Sequence, residues 1–344
     1  FDDYANLGAQ PNAFTNFNAT AYHFTTTDNF YESLDVLVGF VGRPYFTEEN
    51  VEKEKGIITQ EILMYEDNAN WKVFFNMLSG LYENHPVKND IAGTVDSIQQ
   101  IDADLLYKCY NTFYHPSNMV LFVVGDVDPE RIFKQVESHF GKDMKSQKDI
   151  ERIYKDEPNS IVKREIKEKM AVSRPLFSIG YKDIPLNEGG KTLLKKIMIN
   201  DIIADMSIGP TSDLYSKLYG MGLIDGTFGG GYVGEKDYGY MVMSGETSNV
   251  DMLISEIEKG IEEIKNTKLD EKLFLQAKKG KMGQFIRNFN YLEGLGHMFV
   301  SLFVKDVALF DYIEVLDDIT YKDVEAQLAQ VFNEEFKTVS IIEP

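Results

Sequence analysis

The sequence predicts an α+β fold of two homologous domains, each an antiparallel-rich sheet with helices packed on one face, the two enclosing a cavity. Three observations carry that reading. Segments rich in Thr, Phe and Tyr, suited to strands, alternate with amphipathic segments of helical period. The same order of elements runs through the chain twice, as a duplicated domain would produce. The 344 residues are enough for two ordinary domains with a substantial core.

The first copy opens with N-A-F-T-N-F-N-A-T-A-Y-H-F-T-T-T, residues 12–27, which reads as paired strands. Amphipathic helices follow at 30–43, from 47, at 70–82 and at 102–114; in the third, Trp71, Phe74, Phe75 and Leu78 recur at i, i+3, i+4 and i+7. N-M-V-L-F-V-V-G-D, 118–126, has the pattern of a buried strand, and D-P-E-R-I-F-K-Q-V-E-S-H-F that of a helix. The charged stretch 142–160 reads as an exposed linker. The second copy then brings strands at 161–181, helices at 187–206 and 211–219, the strand Y-G-Y-M-V-M-S-G, three further helices and a closing strand T-V-S-I-I. The expected division is 1–145, a linker at 146–162, and 163–344.

The helix from 47 raises the sharpest question. Thr47 suits the cap, and Glu48 and Glu49 suit the first turn. At about 100° per residue Val51, Ile57, Ile58, Ile62, Met64 and Tyr65 fall on one broad arc, with Glu54 and Glu61 near its middle and Lys53, Lys55 and Gln60 outside it or at its edge. Two carboxylates one heptad apart are therefore expected to face the interior, where each needs a cation, a donor or a metal. Pairing with a core Arg or Lys is the plain structural alternative. The repeat bears on the choice. Aligning F-T-E-E-N-V (46–51) with L-D-E-K-L-F (269–274) gives an offset of 269 − 46 = 223, which carries Glu54 onto Ala277 and Glu61 onto Gln284. Scaffolding glutamates would be needed in both copies, so their loss from the second favours a site.

Composition narrows the function. Asp plus Glu total 55 against 35 Lys plus Arg, a formal charge of −20 that opposes nucleic acid and anionic membrane surfaces. No apolar run approaches the about 20 residues that cross a bilayer. The single cysteine, Cys109, shares helical spacing with Leu105, Leu106 and Phe113 and reads as a small core residue; a disulfide framework is excluded, and a cytoplasmic setting fits best. Gly229–Gly234 satisfies G-x-G-x-x-G, but a strand follows where a dinucleotide site needs a helix. His85 and His115 precede proline and read as turn or packing residues, and His297 as core or domain interface.

Several motifs together resemble the insulinase/pitrilysin family of zinc peptidases, in its short two-domain bacterial processing-peptidase form. Asn12, Ala13 and Thr15 match the family's N-A-x-T, and Thr20 and Tyr22 its T-x-Y. Pro44, Phe46, Glu54 and Glu61 match the helix bearing E-x(6)-E. His85-Pro86, Gly93-Thr94, Tyr114-x-Pro116-x-Asn118 and V-V-G-D ending at Asp126 follow in family order, so the likeness spans the chain. The family's H-x-x-E-H is absent; only eleven residues precede Asn12, and the sequence is expected to start just after the motif helix.

The resemblance implies a zinc endopeptidase in the intact protein. Zinc would be held by the two motif histidines and Glu61, with Glu54 orienting a neighbouring group and the general base lying outside this chain. Asn12, Ala13 and Phe14 would form an edge strand that binds peptide substrate by strand addition. The family's second domain carries L-x-x-x-L-R-x-x-x-L-x-Y; here Leu214–Asp225 places Tyr219 at the Arg and Asp225 near the Tyr. A homologous subunit supplying Arg and Tyr, as a heterodimer or in a self-dimer, is the expected partner, with Lys217 or Tyr215 as internal substitutes. The alternative is a non-catalytic peptide-binding or scaffold subunit of the same fold.

Overall fold

The computed structural model describes residues 2–140, 150–153, 155–267 and 269–344. In chain order it contains α1 (Asp2–Leu7), β1 (Gln10–Thr15), β2 (Thr20–Thr25), α2 (Phe30–Gly42), α3 (Glu48–Glu66), α4 (Ala69–Leu81), α5 (Val95–Gln99), α6 (Ala103–Phe113) and α7 (Pro129–Phe140). The later part contains β3 (Glu165–Lys169), β4 (Leu176–Lys182), α8 (Gly190–Ser207), α9 (Asp213–Gly220), β5 (Gly229–Gly234), β6 (Gly239–Glu246), α10 (Val250–Asn266), α11 (Glu271–Asn288), α12 (Leu292–Phe303), α13 (Asp311–Asp318), α14 (Tyr321–Val331) and β7 (Lys337–Glu343). The inferred repeat is visible in these bounds: α3 and α11 start 271 − 48 = 223 residues apart, and α4 and α12 start 292 − 69 = 223 apart.

Two compact units emerge, each discontinuous in sequence. The first comprises Phe1–Ile62, Ile91–Ile153 and Asn288–Ser301; the second Leu63–Asp90, Tyr154–Arg287 and Leu302–Pro344.

The second unit is built on a five-stranded sheet of order β3-β7-β4-β6-β5, antiparallel except for β3 beside β7. β4 is buried along its whole length, because both sheet faces are covered. One face carries Gly180 and Thr338 against α4: a Cβ on Gly180 would lie 2.6 Å from Met77 Sδ, and one on Gly80 would lie 2.4 Å from Thr338 Cγ2. Glycine at these two positions lets helix and strand approach closely. On the other face α8 approaches β5, where a Cβ on Gly234 would meet Ile197. The glycine-rich segment 229–234 is thus itself a strand, as the rejection of a dinucleotide loop requires.

The first unit holds the two-stranded β1–β2 hairpin, register Ala13↔Tyr22. Its core forms where Leu34 and Val38 of α2 meet Ile132 of α7, flanked by Phe24, Phe30 and Phe140.

Three expectations are corrected. The strand at 118–126 is not formed: 119–124 has no ladder, and Met119, Val120 and Leu121 are exposed. An apolar run becomes a strand only beside a backbone that completes its hydrogen bonds, and the described part of this unit offers only the β1–β2 pair. Five helices rather than three separate β6 from β7, since breaks at 289–291 and 319–320 divide the apolar stretches. The linker is not wholly exposed. Residues 141–149 and 154 lie outside the described residues, but Glu157 accepts the backbone N–H groups of Glu83, Asn84 and His85 at 3.0, 2.7 and 2.7 Å and the Lys182 ammonium at 2.6 Å. Burial pulls its carboxyl up, but Lys182 and the three donors outweigh it and hold it below the usual range.

Candidate functional site

α3 begins as expected: the Thr47 hydroxyl accepts the Asn50 N–H at 3.2 Å. Its buried stripe, however, is Val51, Lys55 and Ile62, with Ile58 half-buried, at i, i+4, i+7 and i+11. Glu54 and Glu61 do not face the interior; they are exposed, on a face shared with exposed Ile57 and Met64. Apolar residues occupy so much of the helix circumference that their arc has no sharp centre, and Lys55 lies along the core edge with its ammonium reaching Glu52 at 2.6 Å. Glu54 borders a cavity of about 360 Å³ whose lining includes Phe46, Val51, Ile58, Ile98 and Leu106.

β1 pairs with β2 alone, so its outer edge is open in its own sheet. Asn12 and Ala13 are exposed and Phe14 is half-buried. The Ala13 N–H donates to the Asn12 side chain at 2.9 Å, so that donor is already engaged. The motif tyrosines come together: the hydroxyls of Tyr22 and Tyr114 are 2.7 Å apart. Burial, with Tyr22 adding to it, raises the Tyr114 phenol well above its ordinary range.

His85 and His115 are turn residues, each accepting an N–H two residues on (Val87 at 3.1 Å, Ser117 at 3.2 Å). Cys109 is exposed rather than core, with Leu105 and Phe113 of the same helix face. The helix instead turns Ala103 and Tyr110 inward, Tyr110 donating to the Val41 carbonyl at 2.6 Å. Asp225 does not stand alone in the second unit: Arg174 donates to it at 2.7 Å, and Thr227, then Arg174, hold its carboxyl low. Arg174 was missed because it lies 45 positions before Tyr219, where the motif expects an arginine. Tyr219 is exposed, and Lys217 pairs with Glu256 at 2.9 Å.

His297 is exposed, not core, and stands close to His23 and Glu293. Burial lowers the His23 pKa; Glu293 opposes that and His297 reinforces it. Among the described residues these three are the group of His, Cys, Asp and Glu side chains close enough to share an ion; Glu61 is not part of it. Glu61 therefore brings one carboxylate, and the described residues do not by themselves hold a catalytic zinc.

Two family descriptions match: "Insulinase (Peptidase family M16)" over residues 2–95 and "Peptidase M16 inactive domain" over 100–281. An uncharacterized zinc protease of Bacillus subtilis, YmfH, is 40% identical over 345 residues, covering 100% of this chain and 80% of that protein. The beta subunit of the mitochondrial-processing peptidase of Caenorhabditis elegans is 29% identical over 138 residues, 40% of this chain and 30% of that one. The crystal structure of a putative M16-like peptidase from Alicyclobacillus acidocaldarius superposes with a TM-score of 0.95 at 33% identity, over 100% of this chain and 82% of that one. No helix among the described residues is long and apolar enough to cross a membrane.

Proposed function

The chain belongs to the insulinase family of M16 peptidases, and from that premise we propose that in the whole protein it forms the peptide-facing and metal-facing part of a zinc endopeptidase. One observation carries the reading. Glu54 and Glu61 share an exposed face of α3 and make no ion pair with a described cation, while Ala277 and Gln284 stand at the corresponding positions of α11. An open pair of carboxylates kept in one copy and lost from the other suits a ligand completed from outside the described residues.

In this reading Glu61 is one metal ligand, completed by two histidines from outside the described residues, and Glu54 orients a neighbouring group. Zinc, when bound, would supply an activated water and a polarised carbonyl. The chain's own part is substrate placement. An extended peptide adds to the outer edge of β1 at Asn12–Phe14, its main chain replacing the Asn12 side chain at the Ala13 N–H. The division 1–145, 146–162 and 163–344 describes the duplicated units of sequence rather than the compact units, and a cytoplasmic setting is part of the same proposal. A homologous subunit, in a heterodimer or a self-dimer, would supply the Arg and Tyr, since Arg174 is committed to Asp225.

Whole protein carrying Glu61→Gln should lose one bound zinc per chain and its peptidase activity together while the melting temperature of the metal-free protein stays within a degree or two, because an exposed carboxylate contributes little to stability. Unchanged zinc stoichiometry in that variant would defeat the assignment. The description of 100–281 as an inactive domain favours a second reading, a peptide-binding or scaffold subunit; whole protein that purifies without zinc yet binds peptide would select it.

A further inference from the structure

Glu293 sits in the first turn of α12, His297 lies one turn later, and β2 presents His23 to both. One ligand atom from each side chain lies within 4.8 Å of the others. His23 Nε2 is 3.9 Å from Glu293 Oε1, too far for a hydrogen bond. The two imidazoles meet edge-on with centroids 5.4 Å apart. The Tyr291 hydroxyl donates to Glu293 Oε2 at 2.5 Å, holding the carboxylate by its other oxygen.

We propose that His23, Glu293 and His297 form a binding site for a divalent transition-metal ion of the zinc class, separate from any metal that Glu61 serves. Two imidazoles and a carboxylate are a borderline donor set that selects Zn²⁺ and its neighbours over Ca²⁺ or Mg²⁺. Ligand atoms about 2.0–2.1 Å from a tetrahedral ion stand roughly 3.4 Å apart, so the three need only small inward rotations, which exposed His297 is free to make. Tyr291 is the outer partner such ligands commonly have. The fourth position stays open for water.

The consequence reaches the hairpin. The Phe14 ring centroid lies 4.6 Å from that of His297 and 6.3 Å from that of His23. An ion there would clamp β2 to α12 and fix the aromatic contact beneath β1.

The test is calorimetric titration of the 344-residue chain with Zn²⁺ alone, beside His23→Ala, His297→Ala and Glu61→Gln. The expected result is one ion per chain, bound at least about 10-fold more weakly by either histidine variant, since losing a ligand costs no less than losing an outer partner, with Glu61→Gln unchanged. Zinc should also raise the melting temperature of the parent chain and not that of His297→Ala. His297 is exposed, so its variant keeps the fold; if His23→Ala fails to fold, Glu293→Gln replaces it. Absent binding, or binding indifferent to His297→Ala, overturns the site. Binding lost in Glu61→Gln alone would overturn it and assign the ion to α3, so the two readings fail separately.

Discussion

The hairpins β1–β2 and β5–β6 are counterparts, displaced by 229 − 10 = 219 and 239 − 20 = 219 residues, and the molecule uses them in opposite ways. In the second unit β6 pairs with β4 and so joins a five-stranded sheet, and Tyr240, Met241 and Met243 are fully buried. In the first unit the hairpin forms a two-stranded sheet of its own, with Tyr22 and Phe24 half-buried and Asn12 and Ala13 exposed. The closing segments differ likewise: β7 lies between β3 and β4, whereas 119–124, its counterpart at an offset of 337 − 119 = 218, has no ladder. One copy puts its strands into core packing, and the other leaves edges, carboxylates and imidazoles open to ligands.

The contrast can be broken most severely at the packed sheet. Phe177→Ala, at a fully buried position of β4, should cost about 3–5 kcal/mol, whereas Phe14→Ala should cost under about 1 kcal/mol. Denaturant titrations giving equal losses would show that the first hairpin is as tightly packed as the five-stranded sheet.

Carboxylates sharpen the same contrast. Glu54 and Glu61 are open, but Asp201 of α8 is half-buried, and desolvation raises its pKa to about 6 against the lowering effect of Lys281. A carboxyl whose pKa is raised on folding binds its proton more tightly in the folded state, so its contribution to stability falls as pH rises from about 4 to 6 and stays low above that. Asp201→Asn should therefore stabilise at pH 7 by up to about 3 kcal/mol, with the gain vanishing near pH 4. A gain independent of pH would refute this account.

The smallest effect is at the open edge. Asn12→Ala frees the Ala13 N–H and should change stability by no more than about 0.5 kcal/mol. Its affinity for an extended peptide should rise, measured by fluorescence anisotropy with whole protein. A fall would mean that Asn12 itself holds the peptide.

Much of the architecture was legible in sequence. Thr, Phe and Tyr content located both strands of the first hairpin and the 3.6 period located α2, α3, α4, α6 and α7, though not the short α1 and α5, and the offset of 223 relates α3 to α11 and α4 to α12. What escaped depended on partners. The facing of α3 was ambiguous because Val51, Ile57, Ile62 and Met64 surround it, and only neighbouring elements decide which of them are covered. The run 118–126 has strand composition, which says nothing about whether a ladder is available. Glu293 and His297 carry a local i, i+4 signal, but His23 lies 270 positions before Glu293 and no spacing rule connects them.

The interchange of segments between the two compact units governs how the chain comes off the ribosome. The first unit needs Asn288–Ser301 and the second needs Leu63–Asp90, so neither copy of the repeat contains a complete unit. Synthesis at about 5–20 residues per second leaves the N-terminal unit unfinished until its late helix emerges, and β3 must wait for β7, whose pairing joins Glu165 to Val339 across 339 − 165 = 174 residues. Completion of that sheet is therefore slow, as long-range strand pairing is, and until β7 has been made the nascent chain exposes apolar helix faces and sheet edges, when chaperones would be expected to hold it.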